Sequence, residues 1–216
     1  MTVLGEQYAA DIVADDLYLI EEGKPYAWTT MLKSKGLRYR KPAWISLEDF
    51  VRHDLGPVKP LLRLAFLRQH GIGYDETLRT CEDWAFYMEC LLHGARFLIA
   101  PVPGYAYRMR PGSLSRSVLT LLDYAERNLQ KYIADPRLQG REEVLRLLKE
   151  KLREVRSNRR YYSVMAPLKE RNFRQAVRTW VRTPEFPLLF VARIPRILSY
   201  RVRRRMVRLR LGGGQG

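Results

Sequence analysis

The sequence predicts an α/β body followed by a mostly α-helical extension, and three observations carry that prediction. Between residues 9 and 110, stretches of β-forming residues alternate with short segments that carry helix caps. After Ser117, apolar residues recur at helical spacing with few interruptions. Charge divides near the same point: residues 1–120 hold 15 Lys/Arg against 14 Asp/Glu, and residues 121–216 hold 24 against 9. A chain of 216 residues that is 46% hydrophobic can bury one sizeable core.

Taken in order, Ala9 to Ile20 (AADIVADDLYLI) reads as a buried strand, and Glu22-Gly23-Lys24-Pro25 supplies a turn. Ser46 with Asp49 three residues on forms a capping box for a short helix, with Gly56 as its natural stop. Pro60 to His70 reads as a helix, or a strand running into one, closed by Gly71-Ile72-Gly73. Thr80 can cap the next helix, which should run to about His93 and stop at Gly94. ARFLIAPVPGYAYRMR should give two short extended segments broken by PVPG, with PGSLS as a loop. Leu119, Leu122, Ala125 and Leu129 then keep helical spacing, as do Val144, Leu147, Leu148, Leu152 and Val155, with Asp135-Pro136 and Gly140 between the two sets. A further helix is expected over Pro167–Val181, and a last one from about Pro187, interrupted at Pro195. GGGQG is expected to be a flexible tail. The expected divisions are 1–117 as body, 118–182 as helical extension, and 183–216 as a basic amphipathic segment with its tail.

Several function classes lack support. Cys81 and Cys90, nine residues apart in one expected helix, would lie about 13.5 Å apart along its axis on opposite sides, too far for a disulfide. Reduced thiols fit the cytosol. MTVLGEQYAADIVADD has no basic flank before an apolar core, so a signal peptide is not expected. The apolar run Phe186–Ala192 falls far short of the roughly 20 residues that span a bilayer. His53, His70 and His93 have no compact Cys companions, which argues against zinc. There is no G-x-G-x-x-G or Walker sequence, and no RNP, KH or helix-turn-helix spacing, so no nucleic acid is expected as partner. The basic end does favour a polyanionic surface: FPLLFVARIPRILSYRVRRRMVRLRL carries eight arginines from Arg193 to Arg210 and no acid after Glu185. Such a segment can lie in the headgroup region of an anionic membrane, the alternative being an ordinary solvated helix face.

The chemistry-bearing stretch is Lys59–Ser115, KPLLRLAFLRQHGIGYDETLRTCEDWAFYMECLLHGARFLIAPVPGYAYRMRPGSLS. At its centre is the acid pair Glu82-Asp83, which on its own also suits the first turn of any helix, where acids favour the macrodipole. Lys59-Pro60, Phe66-Leu67, His70-Gly71, the acid pair, Gly94-Ala95-Arg96-Phe97, Tyr107-Arg108 and Gly112-Ser113 appear in an order that resembles the second half of an inverting family 2 glycosyltransferase of the Rossmann-like GT-A fold.

The resemblance implies a catalytic base at Asp83, with Glu82 orienting or assisting. A nucleotide diphosphate sugar would be the donor, and a hydroxyl of a lipid-linked or polysaccharide acceptor the nucleophile. Arg108, Arg110, Ser113 and Ser115, with Tyr107 and Arg116 beside them, offer guanidinium forks and hydroxyls for a diphosphate or an acceptor phosphate, the alternative being a solvated basic loop. Trp84, Phe86 and Tyr87 should pack the helix, with sugar stacking on Trp84 as the other possibility. The nucleotide-binding first half of such an enzyme has no counterpart here, so the chain is expected to be a partial enzyme, inactive in isolation. Mg²⁺ or Mn²⁺ would serve the complete enzyme through ligands outside this chain, because Asp15-Asp16 lacks D-x-D spacing and resembles a segment downstream of that motif. The expected location is cytoplasmic, peripheral at the inner face of the membrane. The rival expectations are a non-catalytic basic module that binds membrane or nucleic acid, and an inactive remnant.

Overall fold

β-Branched and aliphatic residues from Ile12 onward build the central strand of a mixed sheet, β1 (Ile12–Glu21), in a computed structural model that describes residues 1–109, 118–195 and 198. β1 pairs in parallel with β5 (Phe97–Met109) and antiparallel with β2 (Ala27–Thr30). β3 (Ala43–Ile45) lies antiparallel on the far side of β5, giving the order β2-β1-β5-β3. β4 (Leu61–Leu62) pairs with the first residues of β1.

The expected interruption at PVPG is a bulge within one strand. Between the pairs Ala14↔Ile99 and Leu17↔Tyr105 the register shifts, so that β5 takes more residues than β1 to cover the same span. Pro101 and Pro103 have no N–H to donate, which fits a register that shifts on either side of the Asp16↔Pro103 pair. Gly104 also faces Asp15 so closely that an added Cβ would collide with its Oδ2.

The remaining elements of residues 1–152 are α1 (Thr2–Gln7), α2 (Met31–Ser34), α3 (Leu47–His53), α4 (Leu64–His70), α5 (Glu82–Leu92), α6 (Val118–Ile133) and the start of α7 (Glu142–Lys169). The capping box of α3 forms as expected: Ser46 Oγ accepts from the Asp49 N–H at 3.0 Å, and the Ser46 N–H donates back to Asp49 Oδ2 at 3.4 Å. Gly56 is not its stop, because Asp54 takes the left-handed conformation that closes the helix. Gly56 instead leaves room for Trp84, whose Cβ would lie 2.9 Å from a Cβ added there. α4 closes on Gly71 in the left-handed region, as its sequence suggests. The core gathers Ile12, Phe50, Met88, Phe97 and Ile99 between the sheet and helices α3 and α5, and Leu17 packs separately with Leu19 and Met31.

The described residues from Arg153 onward form a second unit, so the division falls inside α7. Tyr161, Val164 and Phe186 make its small core, with Met165 and Leu189 against it. Arg193 caps that core: its guanidinium lies 4.5 Å from the centre of the Tyr161 ring and donates to Asn158 Oδ1 at 2.7 Å. The single helix expected over 167–181 is two. α7 runs through Pro167 to Lys169, Arg171 adopts positive φ, and Asn172 Oδ1 then caps α8 (Phe173–Val181) by accepting the Gln175 N–H at 3.2 Å. α9 (Phe186–Val191) follows. Nearly all of the Arg-rich end and the GGGQG tail lie outside the described residues. Among the described residues no helix is long and apolar enough to cross a membrane.

Candidate active site at the head of α5

Helix α5 begins with the acid pair, and its entry differs from the expected one. Thr80 does not cap it; Cys81 occupies the N-cap position in the left-handed region at φ 63°, with no side-chain cap. A non-glycine residue in that region is strained by about 1–2 kcal/mol, so surrounding contacts must hold it. They come from α6: Asn128 Nδ2 donates to Cys81 O at 3.3 Å, and the Tyr132 hydroxyl donates to Ala85 O at 3.1 Å. Arg137 clamps Glu89 through Nη1 to Oε2 at 2.9 Å and holds Asp135 through Nη2 to Oδ2 at 2.6 Å. The acid pair thus stands on a helix fixed along one side by polar contacts to α6 and the turn after it.

The other side of α5 is fixed by aromatic packing. Trp84 is only 7% exposed and lies between Phe50 of α3 and Tyr132 of α6, each with ring centres 5.6 Å away. Burial makes Trp84 a core residue. Phe86 and Tyr87 are buried as expected.

Asp83 is partly buried at the first turn, and its Oδ1 accepts the Trp84 N–H at 2.7 Å. Burial pushes its pKa upward, the Trp84 N–H opposes that, and the charge of Glu82 adds to the rise; Lys59 lowers it and Asp54 raises it slightly. Asp54 stays ionised: burial favours its acid form, but Lys151 and Lys35 outweigh that effect, with Lys35 Nζ 3.0 Å from Oδ2. A carboxylate whose proton affinity is raised in this way is better suited to accept a proton near neutral pH than a solvated aspartate.

Sequence reasoning named Lys59 and the acid pair but missed Asp54, Asn128 and Tyr132. Asp54 carries a local signal only as the end of a capped helix, and the two α6 residues carry none, since they reach α5 across 47 residues of chain. Arg108 is exposed near the end of β5, opposite Ile20 of β1. Arg110, Ser113 and Ser115 lie outside the described residues, as does Arg116.

Asp15 and Asp16 stand side by side on β1. The Asp16 carboxylate is buried and already accepts the N–H groups of Leu17 at 2.8 Å and Leu32 at 2.9 Å. Asp15 has its pKa raised by burial, with one oxygen buried and without a hydrogen-bond partner and the other pressed against Gly104. Among the described residues no three His, Cys, Asp or Glu side chains are grouped to hold a metal. Cys81 and Cys90 are both free thiols. His70 and His93, from the ends of α4 and α5, bring their rings to 5.3 Å.

No family model matches the chain. It is similar to two curated proteins of Rhizobium meliloti (strain 1021). Over 77 residues it is 47% identical to the succinoglycan biosynthesis protein ExoU, covering 36% of this chain and 22% of that protein. Over 150 residues it is 28% identical to the succinoglycan biosynthesis protein ExoO, covering 66% of this chain and 41% of that protein. The matches thus span between about a fifth and two-fifths of these relatives' lengths.

Proposed function

We propose that this chain is the acceptor-side part of an inverting glycosyltransferase of polysaccharide biosynthesis, with the GT-A family 2 arrangement that its sequence resembles. The observation that carries the reading is Asp83, a partly buried carboxylate of raised proton affinity at the head of a helix braced on both sides. The similarity to two succinoglycan biosynthesis proteins supports a role in polysaccharide assembly.

In this proposal Asp83 takes the proton from an acceptor hydroxyl as that oxygen attacks the anomeric carbon of a nucleotide diphosphate sugar. The new C–O bond forms on the face opposite the leaving nucleoside diphosphate, whose bond to the sugar breaks, so configuration inverts. In this proposal Glu82 assists Asp83 by adding to the rise in its proton affinity. Arg108, Arg110, Ser113 and Ser115 are proposed to receive phosphate oxygens of the leaving group or acceptor. A divalent cation is proposed for the complete enzyme on ligands other than Asp15 and Asp16. The region Arg193–Arg210 is proposed to attract an anionic membrane surface.

The test is sugar transfer by the protein in its full-length context. Labelled nucleotide diphosphate sugars are offered with lipid-linked and polysaccharide acceptors, and the anomeric configuration of the product is read by NMR. Transfer with inversion supports the reading; transfer with retention refutes it, and failure with every donor favours a non-catalytic binding module.

A further inference from the structure

The helix α8 presents an apolar surface that the sugar-transfer reading does not use and that meets the small core of its unit at one edge, where the half-exposed Trp180 lies 6.3 Å from Phe186. Phe173, Val177, Trp180 and Val181 are 63%, 56%, 49% and 78% exposed. At 3.6 residues per turn these four side chains fall within an arc of about 100°. The buried Ala176 lies outside that arc, so the apolar face is not the one turned to the unit's interior. Arg174, Arg178 and Arg182 follow in successive turns, starting at the edge of the arc and winding away from it toward the opposite face. Among the described residues none of these three arginines has an ion-pair partner. From Arg171 to Arg193 the sequence has one acid, Glu185, and its carboxylate is 3.2 Å from Arg160 Nε.

We propose that α8 is an interfacial membrane helix, which lies along an anionic lipid surface with its Phe173–Val181 face among the acyl chains and its arginines on phosphate headgroups. Apolar side chains gathered on one exposed face are a cost in water and a gain at a bilayer boundary. The unpaired arginine row selects the occupant, since it complements anionic headgroups and would repel a second copy brought face to face. A nucleic acid would satisfy the arginines but leave the apolar arc in water. Leu188 and Val191, exposed on α9, extend the apolar surface available to the same bilayer. The inference is independent of the proposed chemistry at Asp83 and of the Arg193–Arg210 region.

The test uses the full chain and vesicles of phosphatidylglycerol or phosphatidylcholine. Parent protein should sediment with phosphatidylglycerol vesicles at low salt and much less with phosphatidylcholine. Replacing Arg174, Arg178 and Arg182 together by Gln should lower partition by on the order of 100-fold, given about fivefold for each basic side chain near the surface. Val177→Glu with Val181→Glu, at positions exposed enough to leave folding intact, should also abolish binding. Trp180 emission should shift to the blue on binding and be quenched by brominated lipid, and Trp180→Phe should remove that response. Vesicle binding unchanged in the valine pair variant overturns the proposal. So does binding lost only when arginines of Arg193–Arg210 are replaced, which assigns membrane attachment to the tail. Self-association without lipid that the valine pair variant abolishes would assign the face to a second copy, and equal capture by RNA would assign the arginines to nucleic acid; either result overturns it.

Discussion

Replacing Gly56 by Ala probes whether Trp84 is fixed in the core beneath the acid pair. The added Cβ would lie 2.9 Å from Trp84 Cβ, 3.1 Å from its Cδ1 and 3.2 Å from its Cα, so both the indole and the backbone of α5 would have to move. Trp84 has little freedom to comply, being wedged between Phe50 and Tyr132 at 5.6 Å each. Overpacking of this kind costs about 1–3 kcal/mol. Gly56 is not among the residues at positive φ, so alanine also restricts the unfolded chain, which returns about 0.4–1 kcal/mol. The expected net loss is about 1–2 kcal/mol, or a fall in Tm of about 2–8 °C for a chain of this size. Gly73→Ala is the matched comparison, because nothing lies within 4 Å of a Cβ there and its φ is also not positive; it should be neutral or slightly stabilising. Thermal and urea unfolding of both variants gives the answer. A Gly56→Ala chain as stable as the parent would refute the packing argument and show that the loop after α3 yields freely.

Gly104→Ala should also destabilise, because its Cβ would meet Asp15 Oδ2, and adding Asp15→Ala should recover part of that loss; a strictly additive double variant in urea unfolding would count against the contact. Burial raises the pKa of Asp83 in the folded chain, so its contribution to stability is fully present below the ordinary carboxylate range and is lost as pH rises through the raised value. Asp83→Asn, which keeps an oxygen for the Trp84 N–H, should therefore be as stable as the parent in acid and equal or more stable at neutral pH; a variant that loses stability as pH rises would contradict the burial argument. Burial also pushes Cys81 up to about 11 and Cys90 up to about 12, so both thiols should alkylate slowly at pH 8 until the chain is unfolded, and rapid labelling of native protein would oppose this.

Much of the fold is legible wherever a local rule decides it. The β1 strand follows from β-forming residues at 12–20, the α3 capping box from Ser46 and Asp49, and the end of α4 from Gly71. The misplaced boundaries are those where a non-glycine residue takes a left-handed conformation. Asp54 ends α3 two residues before Gly56, Cys81 replaces Thr80 at the head of α5, and Arg171 splits 167–181. Cys and Arg are not residue types that announce such a position, and at Cys81 the holding contact comes from Asn128, far along the chain. The strand β5 was hidden for a different reason: its register shifts around the prolines, but the parallel run beside β1 continues past them. At the candidate site the acids themselves are visible in the sequence. Their environment is not, since burial by Trp84 packing and the brace from Asn128 and Tyr132 arise only when α3, α5 and α6 meet.

The most direct test of the central proposal is the turnover of Asp83→Asn in the full-length context, measured beside its folding stability. Loss of a general base should depress turnover by about 10²-fold or more with substrate KM little changed, while the unfolding midpoint at neutral pH stays at or above that of the parent. Turnover equal to the parent's in a folded Asp83→Asn variant would contradict the account and leave Asp83 as a residue that serves only the first turn of α5.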